Sequence, residues 1–533
     1  MNNDSPGQLL ALRGDLTRLE CHAVVVPMSA DLDVTTPWLP LVSELHPQAD
    51  GEGWHRLTVD VPPGWGEDDR TLRGPVVGRR QVWLTRTDAW DKDGAWVAAS
   101  LVQAVERAAA HFSEVTNRAV PLVGVPLAGS GAGGLADRRG EVVAAAVPAL
   151  QDAAVRLGVD VALVLYDDQD FAAVQAARTD TYAPGTDTLT AAEIARADAL
   201  GDKAAREELV LFLGAGVSMA AGLPSWNGLL RELAEAATQD HQALSTLAAP
   251  DAAQILHDEL GDRFHSLLGE RFRLSTCAAS HMLLAGLRAD AVVTTNYDNG
   301  YELAAECLHP SDHALRVLPR QHAQAGSPWL LKMHGDVEVP DSIVLTKSHY
   351  LDYADAHSPL TGMVQALLMT RHMLFVGFSL IDDNFARLAH QVRRLMKDAH
   401  PLDRKAGTVL ALQADKARER LWRDDLDHLS LADERPDNEP ARANLVAARR
   451  LELFLDRLSW RAASTRHGRE VLLLDGRHDA MRRSRAEVKL RRRLNSLREK
   501  VTAEEQETAA WRIVEEALAT LGGRNKAPGP QRR

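Results

Sequence analysis

The sequence predicts an α/β protein made of two successive α/β domains and a mainly helical C-terminal tail. Short runs rich in Val and Leu alternate with longer helical patterns in two separate parts of the chain. Such alternation is typical of parallel sheets that are covered by helices. The end of the chain instead carries a basic stretch with helical spacing. We therefore expect a first domain, a linker, a second domain and a tail at residues 1–180, 181–207, 208–462 and 463–533.

The composition is ordinary for a globular protein and narrows the classes of function. The chain has 533 residues, 45% of them hydrophobic and 25% charged, and its net charge of −13 does not favour a nucleic-acid-coating role. Cys21, Cys277 and Cys307 form no CxxC pair, which argues against a cysteine-ligated zinc site and fits a reducing cytosol. The N-terminus does not resemble a signal peptide, and no apolar run approaches the roughly 20 residues that span a bilayer. We expect a cytoplasmic protein without a membrane contact.

The first domain and the linker are predicted from apolar runs and one helix cap. Buried strands are expected at 21–28, 79–85, 118–127 and 159–167, and helices at 94–112 and 140–157. A short helix is expected near the end of 180–200, with Thr188 and Thr190 as alternative caps and Glu193 in its first turn.

The second domain is predicted from six further apolar runs, most of them separated by helical patterns. The expected strands are 209–214, 290–296, 329–335, 342–346, 372–378 and 407–412, with a closing helix around 441–460.

The first of these strands ends in a glycine turn, LFLGAGVS at 211–218. Glycines let a backbone approach a ligand closely, and a helix start offers N–H groups to a phosphate. This pattern alone is also compatible with a tight strand-to-helix turn that binds nothing. The candidate pyrophosphate cradle comprises Gly214, Ala215, Gly216 and Ser218.

Three more predicted strands of this domain end in small or polar residues. The motifs are TTNYD at 294–298, KMHGD at 332–336 and GFSLIDDN at 377–384. A lone histidine or asparagine at a strand end usually has a structural role. Open parallel sheets, however, bind their ligands at the carboxyl ends of their strands. Four strand ends of this kind together therefore indicate a binding site. The candidate residues are Asn296, Asp298, His334, Gly377, Ser379, Asp382 and Asn384.

These four motifs, in this order, resemble the Sir2 family over about 208–460. They are most similar to its prokaryotic branch, found in anti-phage defence proteins of the Thoeris-effector type. The resemblance implies a Rossmann-like parallel sheet that takes NAD+ as its substrate. Because the sequence has no CxxC pair, we expect no metal.

The resemblance also implies a role for each matched residue. Asn296 lies by the nicotinamide ribose and orders the attacking group, Asp298 grips the carboxamide, and His334 acts as a base on the ribose hydroxyls. The cradle residues hold the diphosphate. Contacts on the adenosine side are implied for Gly377 and Ser379, with Asp382 and Asn384 as further members of that group.

Two departures from the family's deacylases change the expected reaction. Deacylases carry a small zinc module built on two CxxC pairs, and this sequence has none. Where they have an acidic, an aromatic and an arginine residue in a row, this chain has Ser225, Trp226 and Asn227. Water is therefore the expected acceptor, and the reaction becomes hydrolysis of NAD+ to nicotinamide and ADP-ribose. One ordered nucleophile and one base of suitable pKa are enough for this chemistry.

Two stretches of the first domain, 13–29 and 123–150, resemble the macrodomain family, which binds ADP-ribose. The resemblance covers about 8–178 and implies a three-layer fold. It places Asp15 at the adenine amino group and wraps the diphosphate in Ser130, Gly131, Ala132, Gly133 and Gly134. The family's hydrolases have asparagines where this chain has Pro27, Met28 and Ser29, which favours binding or sensing over removal of ADP-ribose. From physics alone the glycine run is also compatible with a flexible loop.

The basic stretch of the tail carries nine Lys or Arg residues between Arg482 and Lys500. It is interpreted as a solvated helix that packs on an acidic surface or on a neighbouring subunit, with nucleic-acid binding as the alternative. Aromatic residues, which single-strand binding uses for stacking, are missing from it.

Three hypotheses follow for the whole chain. The first is an oligomeric NAD+ hydrolase that depletes NAD+ in bacterial anti-phage defence by abortive infection. In this hypothesis an ADP-ribose-type signal nucleotide regulates it at the macro-like domain, and a partner protein of the defence system can take part. The second is a non-catalytic NAD or ADP-ribose sensor, and the third is a Sir2-type protein deacylase or ADP-ribosyltransferase.

Overall fold

The computed structural model describes residues 6–50, 52–112, 117–129, 131, 133–181, 183–185, 188–309, 313–356, 358–397, 405–432, 440–466, 470–479, 481 and 484–522. The chain divides into two compact units. The first unit comprises Met1–Val115, Val120–Gly201 and Asp456–Arg533, and the second comprises Thr116–Ala119 and Asp202–Leu455. The domain bounds expected from the sequence stay predictions.

The first unit contains a six-stranded sheet and a small three-stranded one. Its strands are β1 Leu9–Arg13, β2 Ala23–Met28, β3 Asp33–Thr35, β4 Gln48–Ala49, β5 Trp54–Arg56, β6 Thr71–Val77, β7 Arg80–Arg86, β8 Leu122–Pro126 and β9 Asp160–Leu165. The main sheet has the order β1-β9-β8-β2-β7-β6, and the small sheet has the order β3-β5-β4. All neighbours in the main sheet are parallel except β6 and β7.

The helices of this unit are α1 Leu39–Val42, α2 Gly94–Ala109, α3 Arg139–Leu157, α4 Asp168–Thr181 and α5 Ala191–Ala205, of which α5 extends past the unit's boundary at Gly201. Buried residues of α2, α3 and α4 share one apolar cluster with strands of the main sheet. Leu101 of α2 and Val147 of α3 share one buried cluster with strand residues such as Val125 and Leu163. Helix α5 begins as predicted, because Thr190 Oγ1 donates to the Glu193 carboxylate and accepts from the Glu193 backbone amide across its first turn.

The edge strand β6 was not predicted from the sequence, and its geometry explains why. The strand contains Pro75, which cannot donate to a ladder and is tolerated only at edges or irregularities. The pairing of β6 with β7 shifts register between Arg73 and Val76, around this proline. A proline in an apolar run normally argues against a strand, so the pattern was missed.

A seven-stranded sheet in which all neighbours are parallel forms the second unit. Its strands are β10 Leu209–Leu213, β11 Ala291–Thr294, β12 Arg316–Leu318, β13 Trp329–Lys332, β14 His372–Val376, β15 Gly407–Ala411 and β16 Leu426–Ser430. Their order is β12-β13-β11-β10-β14-β15-β16. The predicted α/β class with a Rossmann-like parallel sheet is confirmed.

Helices of the second unit cover this sheet and build a separate helical layer. They are α6 Trp226–Ala236, α7 His241–Leu244, α8 Ala249–Leu260, α9 Arg263–Phe272, α10 Ala279–Gly286, α11 Gly300–Ala305, α12 Lys347–Ala356, α13 Ser358–Thr370, α14 Asp383–Lys397, α15 Lys416–Trp422 and α16 Pro440–Arg466. Phe212 lies at the centre of the sheet's core, with ring centroids 4.6–5.2 Å from those of Phe375, Phe378 and Phe385. Residues of α16 from Asp456 onward belong to the first unit.

The prediction of a strand at 342–346 is wrong. Residues 343–346 are buried but form no strand, because their polar groups bond to site loops instead of a neighbouring strand. The Val344 amide donates to the His334 carbonyl over 2.9 Å, and Tyr297 Oη donates to the Val344 carbonyl over 3.1 Å. A run of Ile, Val, Leu and Thr satisfies the strand pattern equally well in such a buried segment.

The C-terminal part of the first unit is helical, as predicted. It contains α17 Arg485–Lys500, α18 Ala503–Gln506 and α19 Ala509–Thr520. Leu473, Leu474 and Leu518 form a small buried cluster against which Leu494 and Trp511 pack. Within the ranges given above, no helix is both long and apolar enough to cross a bilayer.

Candidate active site

The predicted site residues follow four neighbouring strands, and the last residues of these strands pair with one another. In the sheet register, Leu213 of β10 pairs with Thr294 of β11 and with Val376 of β14, and Thr294 pairs with Lys332 of β13. The next residues of each strand therefore emerge at one edge of the sheet. This arrangement brings the glycine turn at 214–216, Asn296, His334 and Gly377 to a common edge, as the sequence predicted.

The glycine turn is shaped by the loop that follows β14. The amides of Gly214 and Gly216 donate to the carbonyls of Val376 and Gly377, each over 3.0 Å. A Cβ on Gly214 would lie 2.5 Å from the Gly377 carbonyl oxygen, and one on Gly216 would lie 2.7 Å from the Gly377 Cα. The two glycines are therefore required for contact between two loops, and their amides are used there. The exposed residue of the turn is Ala215.

Ser218 joins the glycine turn to the Asn296 turn. Its Oγ donates to Asp298 Oδ2 over 2.9 Å and accepts from Asn296 Nδ2 over 3.2 Å. Asn296 Nδ2 also donates to the Gly214 carbonyl over 3.0 Å. Both N–H bonds of the Asn296 amide thus point into the protein, and its carboxamide oxygen is the end that can meet a ligand. Asn296 is half-buried, whereas Ser218 and Asp298 are buried.

His281 completes this network and was not predicted from the sequence. The Ala278 amide donates to His281 Nδ1 over 3.1 Å, which places the ring proton on Nε2, 3.1 Å from Ser218 Oγ. Burial lowers the pKa of His281, against the opposing pull of Asp298, so the ring is neutral. The only signal was a histidine at the start of the apolar helix α10, a pattern that is more often structural.

The contacts of Ser218, His281 and Asp298 do not form a nucleophilic triad. In such a triad the carboxylate holds the far nitrogen of the histidine, and the histidine accepts the serine proton. Here the far nitrogen of His281 meets a backbone amide, and the serine proton goes to Asp298. The arrangement orients Ser218 and, through it, Asn296.

His334 lies at the same sheet edge beside an acidic partner. Its Nε2 is 3.5 Å from Asp382 Oδ2, and the residue is 3% exposed. The rings of Tyr350 and Tyr353 of α12 pack edge-on against the imidazole, with centroids 5.7 and 5.5 Å away. The His334 ring is thus held by two aromatic rings and a carboxylate, which also caps α14 by accepting from the Phe385 amide.

The two remaining predicted residues of this loop differ in burial. Ser379 is exposed, and within the described part of the chain no contact places it against the histidine or the Asn296 turn. Asn384 is 4% exposed, and its Oδ1 accepts from Arg387 Nη2 over 2.9 Å. Its Nδ2 has no hydrogen-bond partner among the described residues, and such a buried donor is suited to a ligand's acceptor.

The candidate nucleotide site of the first unit is described only in part. Ser130 and Ala132 lie outside the described residues, whereas Gly131, Gly133 and Gly134 follow β8. Asp15, after β1, caps a short turn by accepting from the amide and hydroxyl of Thr17. A Cβ on Gly134 would lie 3.0 Å from the ring of Trp90, which is 51% exposed and was not predicted as a site residue.

Part of the second unit's sheet and strand-end site is similar to a known domain family, the SIR2-like domain. Residues 290–428 match the family of that description. Among the described side chains, no three His, Cys, Asp or Glu residues stand close enough to hold a metal ion.

The chain is also similar to curated proteins of this kind. It is 31% identical over 193 residues to the NAD(+) hydrolase ThsA of Bacillus cereus (strain MSX-D12), covering 35% of this chain and 40% of that protein. It is 29% identical over 200 residues to the NAD(+) hydrolase ThsA of Cytobacillus dafuensis, covering 36% and 39%. It is 26% identical over 204 residues to the Defense-associated sirtuin 2 of Bacillus subtilis, covering 36% and 20%. The chain thus spans about two fifths of the length of these two hydrolases.

Proposed function

We propose that the second unit hydrolyses NAD+ to nicotinamide and ADP-ribose at the strand-end site. The observation that carries this proposal is the placement of Asn296 and His334. Each lies two residues beyond the paired ends of neighbouring strands, at Thr294 and Lys332, and an acidic side chain stands behind each of them. Asn296 is tied to Asp298 through Ser218, and His334 faces Asp382.

The proposed reaction needs one oriented water and one proton acceptor. The bond between the nicotinamide nitrogen and C1′ of the ribose breaks, and its electron pair leaves with nicotinamide. The water oxygen forms the new bond to C1′, held by the Asn296 carboxamide oxygen. The water's proton passes to the His334–Asp382 pair and then to solvent, so that NAD+ and water give nicotinamide, ADP-ribose and a proton.

Asp298 has a different task in this proposal from the carboxamide contact implied by the resemblance. Its Oδ2 accepts from Ser218 and its Oδ1 accepts from the Gly300 amide over 2.9 Å, and the residue is 5% exposed. A carboxylate with both oxygens engaged in this way is best suited to orienting Ser218. The diphosphate is held near Ala215, and the adenosine side lies toward Gly377, Ser379 and Asn384.

The relatives support both the proposed reaction and a proposed biological role in defence. The printed names of two of them are NAD(+) hydrolases, and a third is a defence-associated sirtuin. On this basis the chain is proposed to act in the bacterial cytoplasm as an anti-phage effector that arrests the infected cell by depleting NAD+. A partner protein of the defence system and self-assembly into an oligomer belong to the same proposal.

The first unit is proposed to bind an ADP-ribose-type nucleotide that regulates this activity. Its support is the parallel order of β1, β9, β8 and β2, which brings the Asp15 turn and the glycines after β8 to one sheet edge. Titration of ADP-ribose and its cyclic variants against the full chain tests this step. Binding that survives Asp15→Ala and Gly133→Val would contradict it.

Incubation of the purified chain with NAD+ tests the hydrolase proposal. Nicotinamide and ADP-ribose are quantified by chromatography, with and without extract from phage-infected cells. Equimolar products are expected from the wild type, and none from Asn296→Ala or His334→Ala. Exposed His390 on α14 and half-buried Asn444 on α16 provide matched alanine controls that should remain active. Bound but intact NAD+ would favour a sensor, and ADP-ribose attached to protein would favour a transferase.

A further inference from the structure

Lys332, the last residue of β13, is a fully buried lysine two residues before His334. Its side chain is 0% exposed, yet the ammonium group is surrounded by oxygen atoms. Nζ donates to the carbonyls of Tyr297 and Asp298 over 3.1 and 2.8 Å, and to Asp336 Oδ1 over 3.1 Å. Glu302 Oε1 lies 2.7 Å away. An ammonium has three N–H donors, and four acceptors compete for them here.

The charge of this lysine is stabilised in place. Burial alone would lower the pKa of Lys332, but Glu302 and Asp336 outweigh that effect and raise it above its ordinary value. Burial raises the pKa of Glu302 despite the attraction of Lys332. Glu302, Asp336 and the two backbone carbonyls together therefore surround a charged ammonium group.

These contacts join the two halves of the candidate site. The carbonyls of Tyr297 and Asp298 belong to the turn that carries Asn296, whereas Lys332 and Asp336 flank His334 on the neighbouring strand end. We propose that Lys332 is a positioning residue for NAD+ cleavage, because its ammonium group fixes the Asn296 turn against the strand that carries His334. This inference rests on the proposed hydrolase function. It assigns a task to a side chain that does not contact the substrate.

A buried lysine can also serve stability alone, so the test must separate the two roles. Glu302 on α11 provides a matched control, since it meets the same ammonium group. Glu302→Gln removes one charge and leaves Lys332 its two carbonyls and Asp336. Lys332→Met keeps a similar volume but removes every donor and leaves Glu302 as an uncompensated buried acid, which destabilises the fold.

The experiment compares kcat, KM and thermal midpoint in the full-length wild type and three variants. Glu302→Gln should keep kcat within about twofold. Lys332→Met should lose kcat by about tenfold to a hundredfold, the scale of a misplacement near 1 Å, while KM changes little. The double variant Lys332→Met, Glu302→Gln removes the uncompensated acid, so it should regain stability over Lys332→Met while kcat stays low. Recovery of kcat together with stability in the double variant would overturn the proposal.

Hydrogen–deuterium exchange separates a failure of this inference from a failure of the proposed function. The amides of 296–300 should exchange faster in the double variant than in Glu302→Gln, whether or not NAD+ is cleaved. Unchanged exchange in that segment would overturn the positioning role even in an active enzyme. A wild type that never releases nicotinamide would refute the hydrolase proposal, whereas faster exchange would still support the structural link.

Discussion

Ser218 Oγ donates to Asp298 Oδ2 over 2.9 Å and thereby ties the turn after β10 to the turn after β11. The same oxygen accepts from Asn296 Nδ2 over 3.2 Å, so the carboxylate orients the asparagine through the serine. Ser218 is 1% exposed and Asp298 is 5% exposed, which keeps water from replacing either bond. The orientation of Asn296 is therefore fixed before a substrate binds.

Removing this hydroxyl should slow the reaction more than it weakens binding. Ser218→Ala loses hydrogen bonds to a charged partner worth about 1.5–3 kcal/mol, which corresponds to roughly tenfold to a hundredfold in kcat. KM for NAD+ should change far less, since the asparagine amide still reaches the Gly214 carbonyl. Steady-state kinetics of nicotinamide release check this. A kcat equal to that of the wild type would show that Ser218 does not orient Asn296.

Gly216→Ala should destabilise the second unit and abolish activity together. The added Cβ would lie 2.7 Å from the Gly377 Cα, and neither backbone can move without breaking the bond between them. Overpacking of this kind costs about 1–3 kcal/mol. Urea unfolding measures the loss, with Gly362→Ala as the control because a Cβ there meets nothing within 4 Å. Equal stability of the two variants would contradict the close contact of the loops.

The stability of the chain should fall below neutral pH partly because of His281. Burial lowers the pKa of this histidine, so the unfolded chain binds its proton more readily than the folded one. The contribution of His281 to the free energy of unfolding is complete at pH values above its ordinary pKa of about 6.5, and it decreases as the pH falls below that value. The slope contributed by one such group cannot exceed about 1.4 kcal/mol per pH unit.

Urea midpoints of the wild type and His281→Gln between pH 5 and pH 7.5 check this. Other histidines contribute equally to both proteins, so the difference isolates His281. The variant should lose less stability on acidification than the wild type. Parallel pH profiles would mean that His281 titrates normally in the folded chain.

In the first unit, removing only one partner of a buried ion pair should strongly destabilise the fold. Arg178 Nη1 donates to Asp456 Oδ1 over 2.9 Å, and the Ala11 amide donates to the same oxygen over 3.2 Å. The side chains are 2% and 3% exposed. Arg178→Met leaves a buried carboxylate unpaired and should cost about 3–5 kcal/mol. Replacing both partners, as Arg178→Met with Asp456→Leu, should cost less, and thermal unfolding of the two variants compares them.

Much of the second unit could be predicted because its strands are short, apolar and end in distinctive motifs. The runs before Gly214, Asn296, His334 and Gly377 all proved to be parallel strands at one sheet edge. Parallel strands buried on both faces read as continuous apolar runs, so their pattern is strong. Three of these four runs lie within residues 290–428, the part of the chain that matches the SIR2-like domain family.

The parts that could not be predicted depend on tertiary contacts. Residues 343–346 are buried and bond to the site loops, and no local signal distinguishes such a segment from a strand. Strand β16 lies at the edge of the sheet and contains Asp427 and His428. Its sequence therefore lacks the apolar run from which the other strands were predicted. The role of His281 depends on Ser218, which lies 63 residues earlier in the chain, and that proximity exists only in the folded unit.

The release of free nicotinamide and ADP-ribose from NAD+ by the purified full-length chain tests the central claim most directly. The assay is run beside Asn296→Ala and His334→Ala, with the thermal midpoint of each variant measured to show that it is folded. The wild type should form the two products in equal amounts, and both folded variants should form neither. Hydrolysis that persists in both variants would contradict the claim that these two residues act on one NAD+.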